Sequence, residues 1–85
     1  MHPKAKEINL LLIYLTGWDE ESQEVPEGKL FRTWRGYPFD ILNQLEREQM
    51  ILQYANSVVL TPAGKTKARG LKYKYLTPSS RPEPL

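Results

Sequence analysis

Few side chains in this 85-residue chain are equipped for acid–base, nucleophilic or metal chemistry. His2 is the only histidine, it stands beside the N-terminal residue, and there is no cysteine. A general base, a thiolate nucleophile or a zinc cluster each needs companions that His2 lacks. Glu46 and Glu48 are two apart, and helical neighbours at that spacing point in different directions, so they do not make an acid/base pair. Asp19, Glu20 and Glu21 are consecutive acids, but the spacing and glycine of a calcium loop are missing, and a solvated loop accounts for them. No glycine-rich phosphate cradle is present. The chain is therefore expected to be no enzyme, with neither a metal nor a cofactor.

The remaining polar groups depend on the elements that carry them. Ile8, Leu11, Leu12 and Leu15 follow the spacing of one helical face, so a first helix is expected over residues 3–17. Leu10, Ile13 and Tyr14 make it apolar almost all round, which calls for a central place in the fold or a dimer interface. Residues 17–29, GWDEESQEVPEGK, read as an acidic Gly/Pro loop. Leu30, Phe31 and Trp34 are spaced to pack a short second helix that Gly36 ends. Pro38 suits the first turn of a third helix over residues 38–50, with Asp40 near its positive dipole end. Phe39, Leu42 and Leu45 supply its buried face with Ile41 beside them, while Asp40, Asn43, Gln44 and Arg47 point elsewhere.

Residues 50–54 and 57–60 are expected to pair as two short β runs, turned at Ala55-Asn56 by an asparagine that tolerates positive φ. Thr61 then caps, and Pro62 starts, a last helix ending near residue 76. Gly64, Ala68, Leu71 and Tyr75 form its packing stripe, with Lys65, Arg69 and Lys72 on a basic stripe beside it and Lys67 and Lys74 on another. Residues 77–85 hold Pro78, Pro82 and Pro84 and read as a disordered Pro/Ser-rich tail. Both tryptophans are expected in the core.

A domain over residues 1–76 is near the lower size limit for folding alone and gains from a partner. The net charge of +2 is unevenly placed: residues 1–28 carry two lysines against six acids, and residues 29–85 carry ten Lys/Arg against four acids. Such a chain can turn a basic face toward an anionic partner. The apolar run from Ile8 to Leu15 is shorter than the ~20 residues that span a bilayer. Glu7, Asn9 and the following TGWDEE do not fit a secretory signal. No membrane partner is expected, and the lack of cysteine suits the cytoplasm.

The order helix, helix, turn, helix, hairpin, helix resembles a winged-helix domain. The stretch ILNQLEREQMILQYANSVVLTPAGKTKA is similar to a segment of bacterial winged-helix regulators of the MarR and PadR type. Leu42, Leu45, Met50 and Ile51 match its helix-to-strand part, and Leu60, Thr61 and Gly64 match its LT-x-x-G helix start. Gln49 stands where that family usually has glycine. RTWRGYPFDILNQLEREQMI together with SVVLTPAGKTKA also resembles a small bacterial domain family of unknown function with this layout, over roughly residues 5–76.

The resemblance implies a mainly α fold with a small two-stranded β-hairpin, a winged helix-turn-helix. It also implies double-stranded DNA as a partner and a transcription-regulator-like role. Asn43, Gln44 and Arg47 would read bases in the major groove, and Arg32, Thr33, Arg35 and Tyr37 would hold phosphates. Charge opposes this reading, because residues 38–50 carry three acids against Arg47 and the expected wing, QYANS, has no charge; phosphate attraction supplies most non-specific affinity. The alternative is a protein-interaction or dimerisation module on the same frame, built from the first helix, Trp18, Tyr73 and Tyr75.

Overall fold

In the computed structural model, which describes residues 2–23, 26 and 28–76, helices and strands alternate along the chain. The elements are α1 (Ala5–Thr16), β1 (Trp18–Glu21), β2 (Lys29–Trp34), α2 (Phe39–Arg47), β3 (Ile51–Gln53), β4 (Ser57–Leu60) and α3 (Pro62–Leu76). The strands form one antiparallel sheet in the order β1-β2-β4-β3. Leu10, Leu11 and Ile13 of α1, Ile41, Leu42 and Leu45 of α2, and Ala68 and Leu71 of α3 pack on Ile51, Val58 and Leu60 of the sheet. All three helices thus cover one face. Among the described residues no helix is long and apolar enough to cross a membrane. The Pro/Ser-rich tail expected at 77–85 lies outside the described residues.

This α+β architecture corrects the expected mainly α winged helix-turn-helix with a two-stranded hairpin. The hairpin exists, as β3 and β4, but it is half of a four-stranded sheet. The other half comes from two segments expected to be loop and helix. Residues 29–34, KLFRTW, are too few to stabilise an isolated helix, and their aromatic and β-branched side chains suit a pleated surface. They form β2, which occupies an interior place in the sheet. With β2 a strand, a single helix separates it from β3, and no helix-turn-helix occurs among the described residues. β1 takes the front of the expected loop, where the acids of WDEE sit on an edge strand and discourage further strand addition.

Local chemistry explains the junctions. A Cβ on Gly17 would overlap the Phe31 ring, so glycine lets the chain turn from α1 into β1 against that side chain. Lys6 Nζ reaches Glu48 Oε2 at 2.6 Å and ties α1 to the end of α2. That end is a Schellman motif: the Gln49 N–H donates to the Glu46 carbonyl and the Met50 N–H to the Leu45 carbonyl, both at 2.9 Å. Gln49 carries the left-handed backbone of this motif, with φ 63°. The expected cap of α3 is present, since the Gly64 N–H donates to Thr61 Oγ1 at 2.9 Å.

Candidate functional site

Alternate residues along each strand point away from the helices, so register decides what the uncovered face of the sheet presents. Trp18, Arg32, Val59 and Leu52 stand side by side across β1, β2, β4 and β3. In the next row Trp34 pairs with Ser57, and the Tyr54 N–H donates to the Ser57 carbonyl at 2.9 Å. The floor is closed, with Val59 2% and Ser57 5% exposed, whereas Trp34 is 68%, Leu52 45% and Tyr54 42% exposed. Large apolar side chains therefore project from a sealed base. Trp18 and Trp34 lie 5.4 Å apart between ring centroids, tilted by 53°. Between these rings and Tyr54 the surface dips into an open depression of about 460 Å³.

Arg32 is the hub of this face. Its Nη1 donates to Ser57 Oγ at 2.6 Å, its guanidinium lies 5.3 Å from the centre of the Tyr54 ring, and its Nε pairs with the Glu20 carboxylate. That Nε is buried without an aligned hydrogen bond, so its link to Glu20 is an ion pair. Glu20 offsets the charge of Arg32 where it stands. Next to it Arg35 donates to Gln53 Oε1 at 2.8 Å and to the Tyr54 carbonyl at 3.1 Å, and lies 5.6 Å from the Phe39 ring. Phe39, expected on the buried face of its helix, is 62% exposed.

The outer edge of β3 is occupied from within the fold. The Gln53 N–H donates to Glu46 Oε2 at 3.0 Å, and Gln53 Nε2 donates to Glu46 Oε1 at 3.1 Å and to Asn43 Oδ1 at 2.9 Å. Glu46 of α2 thus takes up one backbone N–H of a strand edge that would otherwise invite pairing, and Asn43 helps to hold the Gln53 side chain there.

The seven residues expected to contact DNA do not share one surface. Arg32 and Thr33 are consecutive on β2 and so lie on opposite faces. Thr33 is 2% exposed, with its hydroxyl 3.0 Å from that of Thr16. Tyr37 reaches the same Thr16 hydroxyl at 2.8 Å. Arg35 is held by Gln53 and Tyr54, and Asn43 by Gln53. Gln44 and Arg47 are exposed on α2. The aromatic cluster was missed because both tryptophans were expected inside; the signal for it was the alternation of Phe31 and Thr33 with Arg32 and Trp34. Among the described residues, no group of three His, Cys, Asp or Glu side chains is placed to hold a metal ion.

The chain belongs to a family described as a domain of unknown function (DUF6429), which matches residues 1–78. No curated protein and no solved structure matches it. The family agrees with the expected small domain of unknown function and adds no fold or activity of its own.

Proposed function

We propose, for this member of a family of unknown function, that the domain is a protein-interaction module whose uncovered sheet face docks a partner protein. The observation that carries this reading is the exposure of Trp34, Leu52 and Tyr54 around a closed floor, with the one central cation neutralised by Glu20. Tryptophan, tyrosine and arginine are the side chains enriched where interfaces gain most of their binding energy. Charge is depleted at such centres, and a contiguous apolar patch marks an interaction site. The partner that fits is one presenting an uncharged row of apolar side chains. DNA binding through α2 draws less support, because Asn43 is engaged by Gln53 and Thr33 faces the interior. The proposed setting is the cytoplasm, on the strength of the cysteine-free composition.

The test is affinity capture from the native cell, followed by titration of the purified partner against the wild-type chain and the Trp34→Ser and Tyr54→Ser variants. Each variant is expected to weaken binding at least about tenfold. Wild-type affinity should change little between low and moderate salt. Equal affinity of the variants for the partner, or a steep salt dependence of the kind phosphate contacts give, would overturn the proposal.

A further inference from the structure

α1 and α3 pack side by side and run in opposite directions. Tyr75 and Lys74, near the end of α3, reach Glu7 in the first turn of α1. Lys65, near the start of α3, lies 4.0 Å from Asp19, just beyond the end of α1. Leu10, Leu11 and Ile13 of α1 and Gly64, Ala68 and Leu71 of α3 are buried. The pair leaves two rows outside. On α1, Ile8, Leu12 and Leu15 are 51%, 45% and 46% exposed and share one side at i, i+4 and i+7. On α3, Lys67 and Lys74 are exposed and, like Ile8 and Leu15, seven residues apart. Each row is therefore about 10 Å long, on helices whose axes pack about 8–10 Å apart.

The charge of the second row is not cancelled by its neighbours. Lys74, Lys4 and Lys67 all act on the Glu7 carboxylate, which places the three on the α1 side of α3. Lys4 is exposed one turn before Ile8 and continues the row beyond the end of α1. Glu7 is the only acid in either helix, its side chain is 25% exposed, and the Tyr75 hydroxyl already donates to it. Three lysines against one carboxylate leave +2 on this side. Asp19 does not enter that sum, because its partner Lys65 is two residues from Lys67 and lies on the other flank of α3.

We infer that this side of the helical layer is a membrane-surface contact, in which Ile8, Leu12 and Leu15 enter the headgroup boundary of an anionic lipid leaflet and Lys4, Lys67 and Lys74 meet its negative headgroups. An apolar row laid beside a basic row matches a surface that has hydrocarbon directly under negative charge. Nucleic acid would engage the lysines and leave the apolar row in water. A second copy would cover the apolar row and bring no anion to the lysines. The absence of a membrane partner was expected from the short apolar run, but length excludes a helix that crosses a bilayer, not one that lies on it. Three half-exposed apolar side chains make a shallow contact, so binding is reversible and requires the anionic lipid.

Co-sedimentation of the full chain with vesicles tests this, using phosphatidylcholine alone and with about a quarter phosphatidylglycerol. The expected result is binding to the anionic vesicles at least about tenfold tighter than to the neutral ones, weakening as salt rises. Leu12→Asn, and Lys67→Gln together with Lys74→Gln, should each weaken it at least about fivefold. Trp34→Ser, on the far face of the sheet, should leave it unchanged. Brominated acyl chains should quench the added indole of Leu12→Trp and spare Trp18 and Trp34. No binding at about 1 mM anionic lipid would overturn the inference, as would equal binding to neutral vesicles or quenching of the two native tryptophans. Random duplex DNA bound through the same lysines, or a dimer lost in Leu12→Asn, would overturn it where the vesicles stay unbound.

Discussion

Gly64 is pressed against Met50, so closely that a Cβ at position 64 would overlap the Met50 carbonyl. The same carbonyl accepts the Thr61 N–H at 3.0 Å, which seats the first turn of α3 on the junction between α2 and β3. Glycine is needed here for space, not for an unusual φ. Gly64→Ala must shift backbone against backbone and is expected to cost about 3 kcal/mol, read from urea unfolding. An unchanged midpoint would mean that the two segments are not in contact.

Gln49 has the opposite problem. It occupies the left-handed position of the Schellman motif, where a side chain costs about 1–2 kcal/mol that glycine avoids. Glycine loses more freedom on folding, by about 0.5–1 kcal/mol. Gln49→Gly is therefore expected to raise stability by about 0.5–1 kcal/mol, whereas Gln49→Val should lower it. Loss of stability in Gln49→Gly would contradict the assigned backbone.

Glu7 links acid stability to α3. The Tyr75 hydroxyl donates to its carboxylate at 3.0 Å and holds the Glu7 carboxyl below its ordinary pKa; burial opposes this, and Lys74, Lys4 and Lys67 reinforce it. A depressed carboxyl pKa contributes stability above the unfolded value and loses it as pH falls through the folded value. The effect lies on the acid side alone. Tyr75→Phe should move the Glu7 titration, followed by carboxyl NMR, back up toward its ordinary midpoint. It should also reduce the acid-side loss of stability. A midpoint that does not move would show that Tyr75 is not the main cause.

The uncovered face makes an unequal prediction for its ion pair. Glu20 is half exposed, with a side-chain exposure of 46%, and Glu20→Gln should cost less than about 1 kcal/mol. Arg32→Ala removes the hydrogen bond to Ser57 and the stack on Tyr54 as well, and should cost about 2 kcal/mol. Thermal or urea unfolding of both variants separates the two roles. Equal losses would mean that Arg32 acts through Glu20 alone.

What the sequence discloses follows from how local each signal is. The Thr61 cap, the β3–β4 pairing and α2 rest on residues a few positions apart, and each stands close to where it was expected. α1 was legible as a helix but not in its orientation. Ile8, Leu11, Leu12 and Leu15 were expected to share one apolar face, with the choice between a central place and a dimer interface left open, and it is Leu10, Leu11 and Ile13 that are buried. A helix apolar all round does not say which side meets the sheet, and packing decides it. β2 was misread because Leu30, Phe31 and Trp34 fit a helical face as well as an alternating strand, and only its partners β1 and β4 settle the choice. β1 was hidden by its acids, which an edge strand tolerates. The aromatic face was lost with those two strands, since it exists only when four separate segments lie side by side.

The proposed docking of a partner protein on Trp34, Leu52 and Tyr54 is open to a direct test in the cell. A photo-cross-linking amino acid placed in the living cell at position 34 or 52, with position 44 on α2 as the control, tests it most directly. One dominant protein adduct, shared by positions 34 and 52 and absent from 44, is the expected result. The same adducts from all three positions, or nucleic acid captured at 44 and nothing at 34 or 52, would contradict it.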